Sequence, residues 1–116
     1  MQFLLMIYAY PDKGPEPGTP EHGEMMGAYF ALSEEFESKG IMLSGSAIEN
    51  PDQAKTARVA DGKTNITDGP AGDTLPFLGG YYLLECADMD EALGYAARIP
   101  TAAYGAVEVR PLMVFD

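Results

Sequence analysis

The chain has 116 residues, enough for one domain over residues 1–116 with one core, and its 47% hydrophobic and 22% charged content is that of a globular rather than a disordered protein. Seven basic residues stand against eighteen acidic ones, a formal charge of −11. That balance argues against nucleic acid, whose binding depends on neutralising phosphates, and against an anionic membrane surface.

Residues 2–9 form a nearly continuous apolar run and predict a first strand buried on both faces. The run lacks a basic flank and is too short to span a bilayer. Together with a single cysteine, Cys86, which has no partner for an internal disulfide, this points to a reducing, cytoplasmic setting. Tyr10 to Pro20 is rich in Pro and Gly and reads as a loop. Thr19-Pro20-Glu21 is a helix start, with Thr19 as N-cap and Pro20 at the first helical position. Met25, Tyr29, Leu32 and Phe36 then recur on one stripe, and Lys39-Gly40 closes a helix over residues 20–39.

A second strand is predicted from residue 41 to about 48, and Asn50-Pro51-Asp52 is a turn. Residues 56–60 and 63–67 flank Asp61-Gly62, the strongest hairpin signal in the chain. Asp68-Gly69-Pro70 is a turn, 71–76 a loop, and the next strand runs from Phe77 or Leu78 to Cys86. In that strand Cys86 reads as a small core residue. Asp88 and Glu91 form a capping box for a second helix, whose apolar face is predicted at Leu93, Ala96 and Ala97 and which Pro100 stops. Residues 106–115 alternate as a last strand, with Pro111 placing part of it at an edge. The order strand, helix, strand, hairpin, strand, helix, strand is a split βαβ pattern with an inserted hairpin, the ferredoxin-like α+β fold. Strands apolar on both sides need a second cover, so a C2 homodimer packed sheet to sheet, a dimeric α+β barrel, is expected.

These stretches carry a resemblance. Leu5-Met6-Ile7-Tyr8, Thr67-Asp68-Gly69-Pro70, Gly79-Gly80-Tyr81-Tyr82-Leu83, Asp90-Glu91-Ala92-Leu93, Ala97-Arg98-Ile99-Pro100 and Val107-Glu108-Val109-Arg110-Pro111 resemble the YCII-related family in its DGPF-type branch, over nearly the whole length. The resemblance implies a dimeric ferredoxin-like α+β barrel with a cleft in each protomer and a mostly unassigned biochemistry. Ala71 stands where the branch motif has Phe, and the next aromatic is Phe77. His22 follows the Pro-x-His pattern of the YCII-proper branch, which pairs that histidine with an Asp as an acid–base dyad. The corresponding position here is Ile99-Pro100, without the carboxylate.

Two residues are candidates for acid–base catalysis. His22, the only histidine, is either a solvated first-turn residue or a neutral-range base. Asp68 either shapes its turn or projects a carboxylate into a concave site shared with the Gly79-Gly80 strand. Arg58 and Arg110 are either exposed face charges, paired with Glu108 or Glu85, or a clamp for a small carboxylate or phenolate. Tyr8, Tyr29, Tyr81 and Tyr82 are core or interface residues, or line the cleft; Tyr8, Tyr29 and Tyr82 are the ones expected to contact substrate. No P-loop, GxGxxG, HExxH or metal-ligand spacing occurs, so neither a cofactor nor a metal is expected. Two functions follow. One is a cofactor-free acid–base lyase or isomerase acting on a small polar or aromatic acid. The other is a non-catalytic accessory module that binds a ligand or a protein.

Overall fold

The structure, a computed structural model, describes residues 1–72 and 75–115; positions 73 and 74 of the expected loop lie outside the described residues. The elements run β1 (Gln2–Ala9), α1 (Pro20–Ser38), β2 (Met42–Ala47), β3 (Lys55–Ala60), β4 (Lys63–Asp68), β5 (Phe77–Glu85), α2 (Met89–Arg98) and β6 (Ala106–Pro111). Short 3₁₀ turns cover Pro51–Gln53 and Pro100–Ala103. Strands β2-β5-β1-β6 form a four-stranded sheet in which every neighbouring pair is antiparallel, and β3-β4 form a ribbon of their own. Discounting that ribbon, the spatial order 2-3-1-4 is the ferredoxin-like arrangement, an α+β fold.

Local chemistry fixes the helix ends. Thr19 Oγ1 accepts the backbone N–H of His22 at 3.2 Å and Pro20 sits at the first turn of α1. At the other end Gly40 adopts φ +70°, Ile41 N donates to Phe36 O at 3.1 Å and Gly40 N to Glu37 O at 3.0 Å. Those two bonds form a Schellman cap, which an L side chain at position 40 would strain. Asp88 Oδ1 accepts from Glu91 N at 2.9 Å, and Glu91 Oε1 reaches back to Ala87 N at 3.4 Å.

The stripe on α1 faces the sheet as expected, with Leu32 and Phe36 buried and Tyr29 packed against the core. On α2 the buried face is Ala92 and Ala96, continued by Ile99, while Leu93 is 47% exposed and Ala97 also faces solvent. The predicted face is thus turned by about one residue. Asp88 as N-cap sets Met89, Ala92, Ala96 and Ile99 on the sheet side, and Leu93 follows about 100° further round.

The core joins Phe3, Leu5 and Ile7 of β1 to Tyr82 and Leu84 of β5 and to Leu32 and Phe36 of α1. Phe36 meets Tyr82 and Tyr95 edge-on at 5.2 and 5.1 Å between ring centroids. Cys86 is buried here, and burial pushes its thiol above the usual value, which keeps it unreactive. Within one chain β1 is covered on one face only: Leu4 and Met6, opposite Leu83 and Tyr81, stay partly exposed on the far side. The last strand ends at Pro111 rather than at 115, because proline has no N–H for the ladder and β6 is an edge strand. Among the described residues no helix is long and apolar enough to cross a membrane.

One polar clasp ties α1 to α2. Glu35 accepts Arg98 Nη1 and Nη2 at 2.8 and 2.6 Å, a bidentate pair, and Lys39 Nζ at 3.0 Å. Hydrogen bonds first from Arg98 and then from Lys39 lower its carboxyl pKa from 4.5 to about 2. A depressed folded-state pKa means the clasp stabilises fully above about pH 4.5 and is lost as pH falls toward about 2. Arg98→Ala is therefore expected to lower the urea midpoint modestly at pH 7, with the gap to wild type closing between pH 4.5 and 2. A gap that does not vary with pH would show that Glu35 is not its source.

Candidate functional site

Two hollows flank β5. The first, about 390 Å³, lies between α1 and the helix-side face of the sheet and is bordered by Met26, Tyr29, Phe30, Ser33, Met42, Gly45, Gly80, Tyr82 and Thr101 among others. Its walls are mainly apolar, but two pairs of hydroxyls meet in it. Tyr29 Oη and Thr101 Oγ1 are 2.5 Å apart, and Ser33 Oγ and Tyr82 Oη are 2.7 Å apart. Burial pushes the Tyr29 phenol above its usual value, with the Thr101 hydrogen bond pulling partly back. Tyr29 is thus a neutral hydrogen-bonding group at any ordinary pH. An apolar cleft of this size with a few convergent polar groups is the usual form of a small-molecule site.

Glycines on β2 and β5 let the two strands and the Tyr82 ring sit close together at this hollow. A Cβ on Gly45 would lie 2.9 Å from the Tyr82 ring and 2.8 Å from Met42, and one on Gly80 would lie 2.9 Å from the Ser46 carbonyl oxygen. Phe30 stands at the mouth, 69% exposed.

The second hollow, about 610 Å³ and more open, is bordered by Tyr8, the stretch 48–54, Gly69, Pro70 and Leu75 to Leu78. The Asp68-Gly69-Pro70 turn and the Gly79-Gly80 pair therefore border different hollows, separated by β5, rather than sharing one. The Tyr8 hydroxyl points to Met6 Sδ at 3.8 Å. We take the smaller hollow as the candidate site, because there, alone among the described residues, paired hydroxyls face an apolar interior.

Of the residues singled out in the sequence, Tyr29, Tyr81 and Tyr82 border that site and Tyr8 the neighbouring one. Asp68 is 88% exposed and ion-paired to Lys55 Nζ at 2.6 Å. His22 sits half-buried in the first turn of α1. Neither borders either hollow, and no hydrogen bond or ion pair joins them among the described residues. Arg58 donates to the Ala71 carbonyl at 2.9 Å, and Arg110 pairs with Glu108 at 2.5 Å. Tyr81 donates to or accepts from Ser44 on the far face of the sheet, 3.0 Å away. No group of three or more His, Cys, Asp or Glu side chains among the described residues is placed to hold a metal.

Sequence reasoning missed Ser33 and Thr101. Ser33 had a signal: it follows Tyr29 by four residues, so it is a polar residue at the margin of an apolar stripe. Thr101 had none, because its partner is 72 residues away.

A ferredoxin-like α+β domain with a cleft between its first helix and its sheet is the class that this geometry defines. A family model for the YCII-related domain matches residues 1–116, and the chain belongs to the YCII-related family. It is 42% identical over 64 residues to the uncharacterized protein R00369 of Rhizobium meliloti (strain 1021). That match covers 53% of this chain and 52% of the relative, so it spans about half the length of the curated relative. Among solved structures the chain is similar to 5-chloro-2-hydroxyhydroquinone dehydrochlorinase (TftG) from Burkholderia phenoliruptrix AC1100, in complex with 2,5-dihydroxybenzoquinone. The TM-score is 0.50 at 17% identity, over 97% of this chain and 94% of that one, and the likeness is one of fold.

Proposed function

We propose that this chain binds a small hydroxylated aromatic or short organic acid in the cleft between α1 and the sheet, and acts on it by cofactor-free proton transfer of the lyase or isomerase kind. The observation that carries the reading is the meeting of the Tyr29–Thr101 and Ser33–Tyr82 pairs inside an otherwise apolar hollow. A ring seated there buries its faces against apolar walls and exchanges its own hydroxyl or carbonyl groups with the two pairs. The 2,5-dihydroxybenzoquinone held by the fold relative is a molecule of that type. The reading takes residues 1–116 as one cytoplasmic domain of the DGPF-type branch, working as a C2 homodimer that covers the Leu4, Met6, Tyr81 and Leu83 face of each sheet.

Asp68 and His22 are retained as bases for the transfer and Arg58 and Arg110 as holders of a substrate anion; within one chain none of the four borders the cleft, so each role needs the C2 pair to bring the group to it. Tyr8 is retained as a contact at the neighbouring hollow. The Lys55–Asp68 ion pair, outside the cleft, favours the second reading, a ligand-binding accessory without turnover.

Calorimetry with 2,5-dihydroxybenzoquinone as the probe tests the site. Each of Tyr29→Phe and Tyr82→Phe is expected to weaken binding by about 2- to 10-fold, the usual worth of a neutral hydrogen bond. Unchanged affinity in both variants would remove the cleft assignment. Asp68→Asn and His22→Ala separate the two functions. Loss of turnover with binding retained supports the enzyme, and retained turnover in both variants eliminates these bases.

A further inference from the structure

We infer that the β3–β4 hairpin is an arm by which one copy of this chain grips a second copy. Among the described residues the ribbon pairs only with itself and joins no other strand. Nearly all of its residues are exposed, including Val59 at 70% and Ile66 at 56%. A two-stranded ribbon alone in water is marginal at best. The hairpin also leaves the molecule open, 48 × 46 × 19 Å with a radius of gyration of 16.2 Å, against about 13–14 Å for a compact domain of this length.

The arm is built to project. Asp61 and Gly62 both take positive φ, +52° and +76°, which gives a tight two-residue turn matched to strand twist. At the root, Gly69 N donates to Ala54 O at 2.8 Å, Thr56 Oγ1 to Gly69 O at 2.8 Å, and Arg58 to Ala71 O at 2.9 Å. These bonds carry the pairing past the strand ends and hold the two legs of the ribbon together at its root. Cross-strand register puts Ala57 opposite Ile66 and Val59 opposite Thr64. Alternation therefore gathers Ala57, Val59 and Ile66 on one face and Arg58 with Lys63 on the other.

Charge favours a second copy of this chain as the occupant. Residues 55–68 hold Lys55, Arg58 and Lys63 against Asp61 and Asp68, a net +1 in a chain of net −11. The arm is a locally positive segment on an acidic body, and the body of another copy offers both the complementary charge and a partly uncovered apolar sheet face. In a C2 pair the exchange is reciprocal, so each body is held by its partner's arm. The inference rests on the dimer proposed above, and it places the arm in the contact beside the sheet face.

The test combines sedimentation of the full chain with hydrogen exchange of the 55–68 amides. Wild type is expected to be a dimer at micromolar concentration with those amides protected, and the protection is expected to fade on dilution. Ile66→Asp, at an exposed site, is expected to leave the body folded by far-UV circular dichroism while weakening the dimer at least about tenfold and stripping the arm's protection. The Arg58→Glu, Lys63→Glu double variant is expected to weaken the dimer in low salt. A dimer that Leu83→Asp breaks but Ile66→Asp leaves intact would overturn the arm and keep the sheet-face pair. A monomeric wild type would overturn both. Arm amides that stay protected in the monomer would overturn the arm alone, because the ribbon would then need no partner. Arm protection that appears only with another protein would assign the arm to that protein instead.

Discussion

Phe36→Ala is expected to cost about 3–5 kcal/mol, the range for emptying a buried aromatic site. Phe36 is fully buried, on the stripe of α1 that faces the sheet. It also makes two edge-on contacts, with Tyr82 and Tyr95, each worth about 0.5–1.5 kcal/mol beyond area. Neighbouring side chains cannot close the gap cheaply, because Phe3, Leu5 and Leu84 are themselves fully buried. Urea unfolding should show a lower midpoint with an unchanged m-value, and Phe36→Leu, which keeps most of the volume, should lose clearly less. The variant should also weaken ligand binding, since the Tyr82 ring loses the side wall that aims its hydroxyl at Ser33. A loss below about 1 kcal/mol would mean that the core does not depend on this ring.

Gly105→Ala is the second large effect. A Cβ at Gly105 would lie 2.1 Å from the Tyr8 carbonyl oxygen, 3.1 Å from its carbon and 3.2 Å from Ala9 Cα. All three atoms are backbone, and Tyr8 is paired with Ala106 at the start of β6. The clash has no side chain to move, so β1 and β6 must separate at that end. The expected cost lies at or above the top of the about 1–3 kcal/mol typical of overpacking. Gly94→Ala is the matched control: nothing lies within 4 Å of the added methyl, and the site is inside α2. There the change should raise stability by about 0.5–1 kcal/mol. Equal midpoints for the two variants would contradict the close approach of Gly105 to Tyr8.

The fold was legible where the signals were local. Thr19-Pro20, Lys39-Gly40, Asp61-Gly62 and the Asp88…Glu91 box each mark a boundary through one residue's conformational limits, and each falls where expected. The face of α2 was not legible in the same way. That helix is short and rich in Ala, so its one large aliphatic, Leu93, pulled the predicted stripe toward itself, whereas the packing selects small residues that let the helix lie close on the sheet.

The candidate site was half legible. Tyr29 lies on a periodic stripe that marks it as facing the core side, whereas the run Tyr81-Tyr82-Leu83-Leu84 has no polar alternation to tell Tyr81 from Tyr82. The hydroxyl partners of Tyr29 and Tyr82 depend on tertiary contacts with no local signature. For Asp68, turn chemistry competed with hairpin register. Counting outward from Asp61-Gly62 sets residue 68 opposite residue 55, and that pairing explains the Lys55–Asp68 ion pair better than the turn does.

The central position of β1 has a consequence for how the chain reaches this state. β1 is hydrogen-bonded on both sides, to β5 and to β6, whose pairing residues fall between 77 and 111. Neither neighbour exists when residues 2–9 leave the ribosome, so the most apolar strand waits, unpaired, until residues 77–111 have followed it. Such distant closures place folding toward the slow end for a chain of this size, and they make this early segment the one that most needs chaperone shelter.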